Sequence, residues 1–274
     1  MGNKILVSVF PSEPMAFEGL TALKELHRDG DITVYASTVI AKDPAGTVSV
    51  RQEADRGPVG TLVGIVTGGL VGLLGGPAGV AVGAYIGGFG GVMYDLFKTG
   101  VSMDFVDEVS TAILPGTAAV IADVDETWVT PVDTRLGAIG GMTFRHFPGE
   151  IIDEELTRET EAARAEIDQL RAELRASSDE AKANVQKAID AQRSKLEAIV
   201  DRVDKKLAEE KAEFEARLAT LREQQAKARE GQRQRIEASM ADLKVSHEAR
   251  TAKLQEARRL AKESLEATRE ALAV

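Results

Sequence analysis

From Ile151 to Val274 the chain contains no proline and a single glycine, Gly231. Proline costs a helix interior about 3 kcal/mol and glycine about 1 kcal/mol, so a stretch almost free of both is committed to helix. It carries 25 Lys/Arg and 27 Asp/Glu, which nearly cancel. That balance marks a solvated helix laced with ion pairs, not a like-charged tail. An apolar seam runs through Ile167, Leu170, Leu174, Val185, Ile189, Leu196, Val203, Leu207, Phe214, Leu218, Leu221, Ile236, Met240 and Leu243, and continues to Leu272. Its mean spacing is about 3.6 residues, close to an untwisted helix and just above the 3.5 of a strict heptad. Many seam slots are Ala, Ser, Gln or Thr, which suits shallow side-by-side packing against other copies. The expectation is a long single α-helix (coiled coil) over 151–274, roughly 180 Å long at 1.5 Å per residue. The alternative is a helix that folds back as a hairpin or bundle, with Gly231 and Ser177-Ser178-Asp179 as the break points.

The second constraint is the run from Gly57 to Tyr94: 38 residues without a charge, 14 of them glycine. Gly60, Gly64, Gly68, Gly72 and Gly76 recur every four residues, and Gly79, Gly83, Gly87 and Gly91 continue a second ladder from Gly75. A four-residue step keeps each ladder close to one helix face. Pro58 and Pro77 each suit a first helical turn, and Gly75-Gly76 supplies a reversal. The reading is an inserted glycine-zipper helical hairpin over 57–96. Fourteen glycines would make a poor isolated helix in water, so close approach between helices must offset their cost. The many Val, Leu and Ile residues and the lack of Ser argue against a flexible linker. No Gly-Lys-Ser/Thr occurs, which argues against a phosphate loop. Each arm just reaches the roughly 20 residues needed to span a bilayer core. Arg51, Arg56 and Lys98 flank the run, consistent with a cytoplasmic head. Membrane association through residues 58–94 is therefore expected, with burial between subunits of a soluble assembly as the alternative.

The rest of 1–150 alternates short elements. Lys4–Phe10 is a β-branched run ending at Pro11 and predicts a buried strand, not a signal peptide. Phe17, Leu20, Leu23 and Leu26 have helical spacing, with Gly30 placed as a stop. Strands are predicted over Ile32–Ala41, Thr47–Gln52, Thr117–Val124 and Met142–Phe147. A helix is predicted over Ser102–Ile113, and a short one opens at Thr130-Pro131. The order is that of a split βαβ, ferredoxin-like plan with an extra helix and strand. The fold class is thus α+β: a ferredoxin-like head (1–150) followed by the helical region (151–274).

Little points to chemistry. The absence of cysteine excludes disulfides, thiolate nucleophiles and Cys-ligated zinc. A net charge of −10 argues against nucleic acid, which needs a basic stripe. His27, His146 and His247 share no metal-ligand spacing. His27 ends a helix, where a cation is the ordinary occupant. Asp104, Asp107 and Glu108 open one, where they favour its dipole. No serine has a base partner in sequence. No catalytic residue, cofactor or metal site is expected, and the chain is not read as an enzyme.

The helix Leu20–Leu26, then Gly30-Asp31-Ile32, Val39-Ile40-Ala41-Lys42-Asp43, the glycine ladders, Phe105-Val106-Asp107-Glu108 and Leu114-Pro115-Gly116-Thr117-Ala118 follow one another in a telling order. That order resembles the prokaryotic domain-of-unknown-function family 1269 over about residues 3–150. The resemblance implies this head architecture and a membrane association, and it carries no catalytic residues. The helical region lies outside it. Together these features predict a non-enzymatic, self-associating, membrane-associated scaffold at the prokaryotic cytoplasmic membrane, with head and helical region in the cytoplasm. Its partners would be other copies of itself and a protein on the helical region. The alternative is a cytoplasmic homo-oligomeric shell or ring.

Overall fold

The structure, a computed structural model, describes residues 4–52, 59–74, 100–147, 151–176 and 179–272. Gly76 of the first glycine ladder, the whole second ladder (Gly75, Gly79, Gly83, Gly87, Gly91) and Ser177-Ser178 lie outside the described residues. The chain opens with β1 (Lys4–Phe10), α1 (Glu13–Arg28), β2 (Thr33–Lys42) and β3 (Val48–Gln52). There follow α2 (Gly60–Leu74), α3 (Met103–Ala112), β4 (Ala118–Asp125), α4 (Thr130–Ala138) and β5 (Met142–His146). Three longer helices come last: α5 (Ile151–Ala176), α6 (Asp179–Lys227) and α7 (Glu230–Leu272).

The fold is α+β. Its five-stranded sheet has the order β3-β2-β4-β1-β5, with every neighbouring pair antiparallel. β1 and β2 are therefore parallel, with β4 between them. β1-α1-β2 and β4-α4-β5 together make the split βαβ plan. β3 is an edge ribbon beside β2, and β4 takes the inner position. β4 reads Ala-Ala-Val-Ile-Ala-Asp-Val-Asp and is buried over nearly its whole length, whereas β3 is only half covered. A strand apolar on both faces belongs inside a sheet covered on both faces.

Both faces are covered. On one, Leu6, Phe10, Val39, Val120 and Val124 pack against Leu20, Leu23 and Leu26 of α1 and Val132 and Leu136 of α4. Phe10 fits there only because two glycines flank it. A Cβ on Gly19 would lie 2.2 Å from its ring, and one on Gly141 would lie 2.7 Å from it. On the other face, Ile5, Val7, Ile40 and Ile121 pack against Val63, Val66, Leu70 and Val71 of α2 and Phe105, Val106 and Val109 of α3. Burial of each such side chain contributes about 1.5–3 kcal/mol, which offsets the glycine cost of α2. Ser102 caps α3 by accepting the Phe105 N–H at 3.3 Å.

The chain forms two compact units: 1–151 with 213–244, and 152–212 with 245–274. They do not divide at residue 150 alone, because 213–244 groups with the head. The undivided helix expected over 151–274 is replaced by α5, α6 and α7. α6 ends at Lys227, and α7 begins at Glu230, one residue before Gly231. In the second unit, Arg202 pairs with Glu159 at 2.7 Å, Arg258 with Asp204 at 2.6 Å and Arg250 with Glu210 at 2.8 Å. The two pairs with α7 run in opposite directions along the helices and place α7 antiparallel to α6, and Arg202 brings α5 alongside. Leu156, Ile167, Leu196, Ile199, Val203 and Leu254 form the core between them, joined by Leu207 and Leu265. The physical reason is the seam itself. A straight helix leaves these side chains in water, whereas a reversal of two residues buries them for a small loop-closure cost.

Candidate functional site

Where the α6–α7 turn meets the sheet, the surfaces are polar and buried together. β2 carries a bulge between Val34 and Ala36, with Tyr35 as the extra residue and Ala36 opposite Asp123 of β4. A bulge re-aims a side chain, and Tyr35 lies flat beneath Arg217 of α6, 4.5 Å from guanidinium carbon to ring centre. Arg217 donates to Asp123 at 2.6 Å and also pairs with Glu213 at 2.8 Å. The Arg217 and Asp123 side chains are 4% and 0% exposed. Burial alone would lower the pKa of Arg217. The charges of Asp123 and then Glu213 reverse this and hold the guanidinium firmly protonated. Burial, reinforced by Asp125, keeps the Tyr35 phenol neutral. Burial also raises the pKa of Asp125, a shift that its hydrogen bond with Ser239 opposes.

Two helical turns further along α6, Gln224 serves three backbone or hydroxyl groups. Its amide donates to the carbonyls of His27 and Ile32, both at 2.7 Å, and its oxygen accepts the Thr33 hydroxyl at 2.6 Å. From α7, Gln232 donates to the Asp29 carbonyl and Arg235 to the Asp31 carboxylate at 3.3 Å. The Arg235 guanidinium lies 5.9 Å from the ring centre of Trp128. The apolar part of this contact is small: Tyr35, Leu221, Ala228 and Ile236, with Val59, Met240 and Leu243 at its margin. Beside it opens a cleft of about 580 Å³, with Leu26, Asp29, Asp31, Trp128, Pro131 and Arg135 in its walls.

His27 ends α1 as expected but is not a cation there. Its Nδ1 accepts the Val34 N–H at 3.2 Å, and burial lowers its pKa, with Glu223 opposing and Lys227 reinforcing the shift. His146 has its Nε2 2.8 Å from the Gly100 carbonyl oxygen and its ring 5.0 Å from Phe105. A second charge network lies at the Lys4 end of β1. Glu126 lies 2.5 Å from Arg145 and 3.4 Å from Lys4, and Arg145 reaches Asp133 at 2.6 Å.

The described glycines of the first ladder lie on α2. A Cβ on Gly64, Gly68 or Gly72 would meet nothing within 4 Å. Of the seam, Ile167, Val185, Ile189, Leu196, Val203, Leu218, Leu221 and Ile236 are buried, and Leu170, Leu174, Leu207, Phe214, Met240 and Leu243 are half-buried. Asp123, Arg217 and Gln224 were missed in the sequence. The only signals are an acid inside an apolar strand and an arginine and a glutamine beside the seam. Among the described residues no cluster of three His or acidic side chains could hold a metal ion. No described helix is long and apolar enough to cross a membrane.

The class defined by this geometry is a split βαβ head, covered on its second face by a glycine-rich helix and clasped by a helical hairpin. Residues 61–171, from α2 into α5, match the family described as "Protein of unknown function (DUF1269)". No curated protein and no solved structure matches the chain.

Proposed function

We propose that this chain is a non-enzymatic, self-associating scaffold whose copies meet through the glycine-bearing side of α2. The observation that carries this reading is the division of labour around α2. Val63, Val66 and Leu70 are spent on the sheet, while Gly64 and Gly68 leave open space beside the helix. Such a smooth side lets a second backbone approach closely, the use to which small residues at four-residue spacing are put. The seam residues serve the fold of each chain, so the outer, charged faces of α5, α6 and α7 are the surfaces left for a partner protein.

Two forms of this scaffold differ in what covers α2. The membrane-associated form is supported by the uncharged run from Gly57 to Tyr94, and the alternative is a cytoplasmic form in which α2 is covered by protein. The test is the mass of the full chain by light scattering, with and without Gly64→Leu and Gly68→Leu. Loss of the assembled species is expected, with head stability retained because there is room for the new side chains. Unchanged particle mass would contradict the reading. Fractionation of cells separates its two forms, since recovery in the pellet and release only by detergent would favour the membrane.

A further inference from the structure

We propose that the α6–α7 turn is a reversible clasp on the head, and that protonation of His27 opens it. The proposal stands apart from self-association and rests on contacts within one chain.

Both sheet faces have complete apolar cores without the turn, so the head does not need the clasp in order to fold. The clasp is held instead by a few directed bonds, and His27 lies under the densest of them. Its side chain and its backbone are both engaged: Nδ1 accepts the Val34 N–H at 3.2 Å, and the carbonyl accepts the Gln224 amide at 2.7 Å. Gln224 is itself the group that ties α6 to Ile32 and Thr33.

An imidazole that accepts at Nδ1 is neutral. Protonation turns Nδ1 into a donor facing the Val34 N–H, and it places a charge in a half-buried position. The charged groups around it give that charge little welcome. Lys227 of α6 repels it. Glu223 of α6 attracts it but is already bonded to Lys227 at 2.6 Å. On the segment after α1, Asp29 is engaged by Arg28 at 3.8 Å and Asp31 by Arg235 of α7 at 3.3 Å. The proton is therefore taken up more readily when the turn has lifted. The sign follows from linkage. With His27 lowered in the closed state and near its ordinary value of about 6.5 in the open one, closure is fully favoured above about pH 6.5. It weakens as pH falls, by up to about tenfold at pH 5.5. Arg217 stays protonated throughout and keeps its hold on Asp123, so the turn pivots about that pair while Gln224, Gln232 and Arg235 let go.

The full-length chain carries its own reporter, a single tryptophan beneath Arg235. Hydrogen exchange at pH 7.5 and 5.5, corrected for intrinsic pH dependence, and Trp128 fluorescence are the readouts. The expected result is several-fold to tenfold faster exchange in 221–240 and at Val34 at the lower pH. β1 and β4 should be unchanged, and a matching fluorescence change should have its midpoint below about pH 6.5. His27→Asn, whose amide oxygen replaces Nδ1 as a non-titrating acceptor, should abolish both responses. Gln224→Leu should leave the turn open at both pH values. Unchanged protection in the natural chain would overturn the proposal. So would an acid response of full size in either variant.

Discussion

At the scale of single residues, the most exacting position is Asp123. It lies in the apolar strand β4, fully buried, and Arg217 comes to its carboxylate from α6. Removing one member of a buried ion pair is costly because the other charge is stranded, by about 3–5 kcal/mol. Arg217→Ala should thus lower the urea unfolding stability of the full chain by that amount. The double change Arg217→Met with Asp123→Leu should restore most of it, because an apolar pair of similar volume needs no compensation. Asp125 gives a second residue-level expectation. Burial raises its pKa, so the native state prefers the protonated carboxyl. That preference contributes stability at low pH, and it is lost as pH rises through the native-state value. Asp125→Asn should therefore be more stable than the natural chain in urea unfolding at pH 7. The advantage should shrink as pH falls toward 4.

At the scale of elements, the two kinds of glycine part company. Gly68 lies in a helix interior with room for a Cβ, so Gly68→Ala should raise thermal stability by about 0.4–1 kcal/mol. Gly141 has the Phe10 ring 2.7 Å and the Leu136 carbonyl oxygen 2.9 Å from any added Cβ. The carbonyl is backbone and cannot swing aside, so Gly141→Ala should destabilise by about 1–3 kcal/mol in the same measurement. The elements themselves were largely legible in the sequence. Period-2 and period-3.6 patterns located the strands and helices of the head to within about two residues, because each element's burial follows its own repeat. Which strand lies inside the sheet was less so. β3 and β4 are both rich in valine or alanine, and only the chain reversal through α2 and α3 brings β4 between β1 and β2. The interaction site was the least legible. Asp123, Arg217 and Gln224 belong to segments about 90 to 200 residues from their partners, and no local pattern announces a long-range polar bond.

At the scale of the whole molecule, the seam from Ile167 to Leu243 was visible, but the copy it would meet was not. A seam period near 3.6 with many small residues suits packing against another chain or against the same chain turned back. The choice is made by a two-residue break at Ala228-Arg229, which no proline marks. The charge balance of the region reads the same way in retrospect: its arginines meet acids about 40 to 55 residues away as well as those one helical turn away. Folding back spends the seam inside each chain, which is why the proposed self-association is assigned to the glycine-bearing side of α2 and not to the long helices.

That return of α7 along α6 is the central claim, and a distance settles it. The chain has no cysteine, so Glu209→Cys with Ala252→Cys gives two unique exposed sites for spin labels. In the folded-back arrangement, with neighbouring helix axes about 8–10 Å apart, dipolar spectroscopy on magnetically dilute protein should return a separation below about 25 Å. An unbroken helix would place the same two residues about 65 Å apart at 1.5 Å per residue, and a distance of that order would contradict the account.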